Sequence, residues 1–216
     1  MKYTKFLIII FFFNNTLSQQ LYESRTKAIS PANSYLQDTL KKKAIIKENI
    51  SAIFLGIGGG LSIPLSPFSN NSNAAFGILG RLEFSSTYIF PFVIGGEVTY
   101  FSYNGDDLFK TTNTLANFDT KILAYGLNIE YSLSKFLPSA FTIPFISVDV
   151  KYNSIERVYD ENKSFPDLSR EESGISVGAG IGFTLFIFDF HIKYNFLKNS
   201  PNIGIYVKTK FPVIRL

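Results

Sequence analysis

Residues 123–133 alternate without a break. Leu123, Tyr125, Leu127, Ile129, Tyr131 and Leu133 take one parity, and Ala124, Gly126, Asn128, Glu130 and Ser132 take the other. Successive side chains of a strand point to opposite faces. The segment is therefore predicted to be a strand with one apolar or aromatic face and one small or polar face. Counting period-2 matches, with Gly, Pro, Asn and Asp clusters as punctuation, predicts seven more such strands after Ser51.

The first covers about 51–63, with Ile53, Leu55, Ile57, Leu61 and Ile63 on the apolar face. The second covers about 73–85 (Phe76, Ile78, Leu82, Phe84) and the third about 88–103 (Ile94, Val98, Tyr100). Strand four is the one above. The fifth covers about 140–154 (Ile146, Val148, Val150, Tyr152) and the sixth about 174–186 (Ile175, Val177, Ala179, Ile181, Phe183, Leu185). The seventh covers about 187–197 (Phe188, Phe190, Ile192, Tyr194, Phe196) and the eighth about 203–214 (Ile203, Ile205, Val207, Phe211, Val213).

Each run reaches the roughly 9–11 tilted residues that cross a bilayer as a strand. An even number lets an antiparallel sheet close on itself with both termini at one end. Closure also removes the unpaired edges that hydrocarbon does not tolerate. The expected fold is all-β: an eight-stranded antiparallel up-and-down transmembrane barrel over residues 51–216. Predicted connections alternate between short (86–87, 135–138, 186–187) and longer (64–73, 104–119, 155–173, with a shorter 198–202). That asymmetry matches short periplasmic turns and longer external loops, and it places the termini in the periplasm. Pro91 and Pro144 fall near the periplasmic starts of their strands, where a missing N–H does least harm.

If the apolar parity meets lipid, the other parity points inward. It carries Arg81, Glu83, Glu97, Glu130, Asp149, Lys151, Asp189, His191, Lys193, Lys208 and Lys210. Five acids and five bases nearly balance, as an enclosed charge set requires. An eight-stranded barrel is just wide enough for its own side chains. The expected interior is a polar plug, with a narrow leak or a small-ligand pocket as the alternative.

Ahead of the barrel, Lys2 and Lys5 precede eight apolar residues, Phe6–Phe13, and then Asn14, Asn15, Thr16, Leu17 and Ser18. This is the layout of a cleaved export signal over 1–18. Eight residues of helix span about 12 Å, far short of a bilayer core of about 30 Å. Residues 19–50 form a lead-in that is helical or flexible, with Lys41, Lys42 and Lys43 in a rough stripe of Tyr35, Leu36, Leu40, Ala44 and Ile45. It is a solvated spacer, or a contact with anionic lipid or cell-wall polymer.

Composition narrows the function. Charged residues make up 18% of the chain, against about 25% in an ordinary soluble domain. Residues 51–216 hold 13 Lys and Arg against 14 Asp and Glu, so the net charge of +4 comes from the N-terminal segments. A nucleic-acid groove is excluded on that ground. With no cysteine there is no disulfide framework, thiolate metal site or lipidated N-terminal Cys.

Candidate chemistry is sparse. The one histidine, His191, stands beside Asp189 and Lys193 on the inward parity, with no serine two residues away. A structural place in the ion network is expected, and a catalytic His–Ser pair is the alternative. One histidine and no cysteine give no transition-metal site. Gly56, Gly58, Gly59 and Gly60 lie inside a strand with no following helix or lysine, so they are packing space, not a phosphate loop. The acidic stretch 155–173 fits no calcium-loop spacing and reads as a solvated external loop.

In these strands the chain resembles the small eight-stranded outer-membrane barrels, namely the OmpA transmembrane domain, the OmpX-like group and the barrel proteins of Bacteroidota-type bacteria. The resemblance spans 51–216 and rests on pattern. It implies a bacterial outer-membrane monomer in contact with lipid and lipopolysaccharide. It also implies assembly by an outer-membrane insertion machinery that reads the last strand, here ending Phe211-Pro212-Val213-Ile214-Arg215-Leu216. The expected function is non-enzymatic: envelope structure or surface interaction through the loops, with no cofactor, no metal and no nucleic-acid partner. A lipid-modifying enzyme, a narrow pore and a secreted lipocalin-like carrier are the alternatives.

Overall fold

The computed structural model describes residues 50–137, 142–160, 162, 163, 165 and 168–216. The predicted signal and all of the lead-in but Ile50 lie outside the described residues. The strands are β1 (Ser51–Pro64), β2 (Ala75–Ser86), β3 (Phe92–Asn104), β4 (Phe118–Ser132), β5 (Thr142–Tyr159), β6 (Glu171–Leu185), β7 (Phe188–Phe196) and β8 (Asn202–Arg215). Each pairs antiparallel with its sequence neighbour, and β8 returns to β1 to close the barrel. Among the described residues no helix is long and apolar enough to cross a membrane.

The predicted parity is the observed one. Leu55, Ile57, Phe76, Ile78, Leu82, Val98, Tyr125, Leu127, Val148, Ile181 and Ile192 all stand exposed on the outer wall. Glu83, Glu97, Asn128, Asp149, Asp189, Lys193 and Lys208 are buried inside. A water-soluble carrier would show the reverse, so the lipocalin-like alternative is overturned.

One end of the barrel carries Ile50, Leu216, the turns 87–91 and 186–187 and the stretch 133–137. The other carries the loops 65–74, 105–117, 160–170 and 197–201. The 65–74 loop contains one 3₁₀ turn (Phe68–Asn70). The 105–117 loop contains the short helix α1 (Asp107–Thr112), whose N-cap Asp106 accepts the Phe109 N–H at 3.1 Å.

Several strands run further toward the loop end than their lipid pattern predicts. β5 continues to Tyr159 and β6 begins at Glu171, so both ends of the expected loop 155–173 are strand and the connection shrinks to 160–170. β4 begins at Phe118, five residues before the predicted start. At the other end, the expected turn 86–87 is the longer 87–91 and β3 starts at Phe92.

The cause of the loop-end extension is visible in the alternation. Past Tyr100, Leu123, Tyr152 and Ile175 the outward positions become Ser102, Asn104, Asp119, Lys121, Ser154, Glu156, Ser173 and Glu171. The inward ones become Phe101, Tyr103, Phe118, Ile122, Ile155 and Tyr159, all buried. The strands go on, but their parity inverts where hydrocarbon gives way to water.

Pro212 also finds a structural place. The β1–β8 register shifts between Ile53 and Phe54, whose partners are Ile214 and Pro212, leaving Val213 as the extra residue. A proline is tolerated at such a bulge because no ladder N–H is needed there.

Candidate functional site

All eleven inward-facing ionisable residues named above sit within the barrel, and the strand registers sort ten of them into two groups. In the first, Arg81, Lys208 and Lys210 meet Glu83, Glu130 and Asp189. Arg81 lies 3.1 Å from Glu83 and 2.7 Å from Glu130. Lys210 lies 2.8 Å from Glu83 and 2.7 Å from Asp189. Lys208 contacts Glu83 and lies 3.2 Å from Asp189. In the second group, Lys151 and Lys193 meet Glu97 and Asp149. Lys151 is 2.6 Å and Lys193 3.1 Å from Glu97, and Lys193 is 2.8 Å from Asp149.

Three cations face three carboxylates, and two face two, so each group is neutral by itself. Arg81, 3.7 Å from Glu97, joins them. Neutrality and multiple partners are what make burial of ten charges tolerable, since an unpaired ion in a dry interior is far more costly. Glycine makes the space. A Cβ on Gly178 would stand 2.6 Å from Asp149 Oδ1, and one on Gly180 would stand 3.1 Å from the Lys193 Cα.

Glu83, Glu130 and Asp189 bring carboxylate oxygens within 4.8 Å of one another. That is a cation-holding arrangement, and cations already hold it: Lys208 and Lys210 each approach all three carboxylates within 3.7 Å. A metal ion there would have to displace two ammonium groups.

His191 is the eleventh. It is buried, its ring stacked on Tyr206 at 4.8 Å and set edge-on to Phe145 at 6.3 Å. Among the described residues neither ring nitrogen has a hydrogen-bond partner. Among the described residues no serine hydroxyl is hydrogen-bonded to His191, so no activated His–Ser pair is formed there.

A second layer lies toward the loop end of the interior. Phe68, Ala75, Leu79, Phe101, Tyr103, Ile122, Ile155, Leu197 and Tyr206 form one buried apolar cluster. Phe68 enters it from the 65–74 loop and packs edge-on to Tyr103 at 4.8 Å. Tyr103 donates to Ser62 at 2.7 Å. Between this layer and the ions is a cavity of about 20 Å³ lined by Lys151, Asn153, Asn195, Asn202 and Tyr206 among others. It has the size for one water molecule.

Sequence reasoning missed this layer. Phe101, Tyr103, Ile122 and Ile155 had the necessary signal, an apolar inward parity in the outer third of three strands. Phe68 had none, because loop residues carry no period. Arg157, assigned to a loop, is buried on the inward parity of β5 and bridges to Glu172 at 2.9 Å.

The rim above β4 and β5 is also organised. Leu115, Phe118 and Tyr159 pack with Phe109, Phe165 and Leu168, so Phe165 and Leu168 join the 105–117 loop in one head. Arg170 lies over the Tyr159 ring at 4.3 Å. The Ala116 N–H donates to Asp160 at 2.9 Å. On α1, the hydrogen bond and charge of Lys110, 2.8 Å away, hold the exposed Asp107 carboxyl below its usual range.

The closed ladder, the outer apolar belt and the enclosed ion pairs make this chain a small eight-stranded transmembrane β-barrel. No protein-family model matches the chain, and no curated protein matches it. Among solved structures it is similar to Neisserial surface protein A, at 16% identity and a TM-score of 0.49, covering 75% of this chain and 99% of that one. It is similar to the outer membrane protein OprG from Pseudomonas aeruginosa, at 13% identity and a TM-score of 0.48, covering 75% and 97%. Ail, the attachment invasion locus protein of Yersinia pestis, matches at 12% identity and a TM-score of 0.43, covering 78% and 99%.

Proposed function

We propose that this chain is a non-enzymatic monomer of the bacterial outer membrane, closed to solutes, that presents its loop end as a surface for interaction. Lipid and lipopolysaccharide surround the belt, the termini face the periplasm, and the insertion machinery reads β8. The ion network and the aromatic layer act as a two-part plug.

The observation that carries this reading is the one-sided extension of the loop end. β3, β4, β5 and β6 continue past the apolar belt with Asn104, Asp119, Lys121, Glu156 and Glu171 facing out. β2 starts only at Ala75 and β7 ends at Phe196. The raised four-stranded wall and the packed head on it give a partner an ordered surface to meet. Main-chain groups at its margin and the head's polar side chains supply recognition.

Three measurements test the proposal together. Folded protein in a planar bilayer should show no conductance steps, and it should migrate anomalously on a gel until boiled. Cells displaying the protein should lose surface binding when residues 160–170 are replaced by a short Gly-Ser linker while heat-modifiable mobility persists. Steady conductance, or fractionation into the soluble periplasm, would overturn the reading. The enzyme alternative requires lipid turnover that disappears in His191→Ala.

A further inference from the structure

The end of the barrel that carries Ile50 and Leu216 presents the wrong residues for water. Hairpin turns in solvent favour Gly, Asn and Asp. Here the β6–β7 turn is Phe186–Ile187, and Phe186 takes φ 55°. A bulky residue in that left-handed region is an outlier, disfavoured by its own Cβ. The 87–91 turn reads Thr-Tyr-Ile-Phe-Pro, and residues 133–137 read Leu-Ser-Lys-Phe-Leu. Tyr88 is 74% exposed, Phe136 64% and Phe186 64%. Phe90, Leu137, Ile214 and Leu216 are exposed with them.

These side chains continue the belt directly, through Phe84, Phe92, Phe183, Phe188 and Phe211 on the outer wall just above them. The only charged side chains in 86–92, 133–137, 185–188 and 211–216 are Lys135 and Arg215, both exposed and both cationic. At the opposite end the exposed rim is of mixed charge, with Asp107, Lys121, Glu156 and Glu171.

We infer that this end is a foot sunk into the headgroup layer of the leaflet on the terminus side, binding anionic phospholipid through Lys135 and Arg215. Lipid is the occupant because the surface is continuous with the lipid belt and its charged side chains are of one sign. Aromatic rings and basic heads are the combination suited to that interface. In this environment Phe186 gains more from its ring than the turn loses from its backbone. The inference rests on the membrane-spanning reading above and adds to it the depth of the turns and the chemistry of the lipid that meets them.

The chain has no tryptophan, so single reporters can be introduced one at a time. Phe186→Trp reports the foot, Leu127→Trp the middle of the belt and Leu108→Trp, on α1, the watery end. Tyr88→Trp serves if Phe186→Trp loses its heat-modifiable mobility. Each protein is folded into vesicles of equal phosphatidylcholine and phosphatidylglycerol, with bromine near the headgroup on one lipid or the other.

The expected result is that Phe186→Trp is quenched by brominated lipid and shielded from acrylamide, opposite to Leu108→Trp. Brominated phosphatidylglycerol should quench it about twofold more than brominated phosphatidylcholine. Adding Lys135→Gln and Arg215→Gln should equalise the two. Acrylamide access equal to that of Leu108→Trp, or equal quenching by both lipids before the charges are removed, would overturn the inference. If Leu127→Trp were also untouched by lipid, the spanning reading would fall with it; quenching at Leu127→Trp alone would leave that reading standing.

Discussion

Lys193 on β7 and Glu97 on β3 meet at 3.1 Å, although their strands stand on opposite walls of an eight-stranded barrel. A side chain from each wall reaches the axis, and the lumen is crossed at mid-height. Lys151 from β5 joins the same carboxylate at 2.6 Å.

Glu97→Gln should be strongly destabilising. It leaves Lys151 and Lys193 with Asp149 as their one remaining carboxylate in a buried group that was neutral. Breaking a buried pair by removing one partner costs about 3–5 kcal/mol. Urea unfolding in vesicles measures it. The double variant Glu97→Leu with Lys193→Met should recover most of the loss, because it removes one charge of each sign.

The two layers should seal independently. Phe68→Ala takes the stopper out of the aromatic cluster and should cost about 3–5 kcal/mol, as loss of a buried phenyl ring does. Planar-bilayer recordings of that variant should stay silent because the ion layer is untouched. Conductance in Phe68→Ala would mean that the ions do not close the barrel.

His191→Phe should be neutral or stabilising. The ring keeps its stack against Tyr206 and its edge contact with Phe145. Two buried nitrogens without partners disappear, and each unsatisfied polar atom costs about 1–3 kcal/mol. A loss of folded protein would show that the imidazole carries a polar role the packing does not reveal.

The end of the belt should be measurable by charge. Leu127→Lys places an ammonium on the outer wall at mid-belt and should cost about 2–4 kcal/mol. Lys121→Leu lies outward on the same strand, beyond the inversion of parity, 3.7 Å from Glu156. That exposed pair contributes about 0–1 kcal/mol, so its loss should scarcely register. A large effect at Lys121 would move the membrane boundary.

Gly178→Ala should be felt across the interior. Its Cβ would stand 2.6 Å from Asp149 Oδ1, and Asp149 holds Lys193 at 2.8 Å. Overpacking of that kind costs about 1–3 kcal/mol. Loss of thermal stability without change of the apolar belt is the expected readout.

By itself the sequence determined the strands, their number and the face each turns to lipid, because a two-faced strand needs only local alternation. The inward set from Arg81 to Lys210 followed from the same parity, as did its balance of charge. What local alternation does not contain is which inward ion meets which. Glu97 and Lys193 are 96 residues apart and face each other only because closure puts β3 opposite β7. The partition into two neutral groups, the Phe68 stopper and the raised wall of β3–β6 likewise came from the tertiary structure. They depend on register around a closed ring and on where water takes over from hydrocarbon, and a period of two records neither.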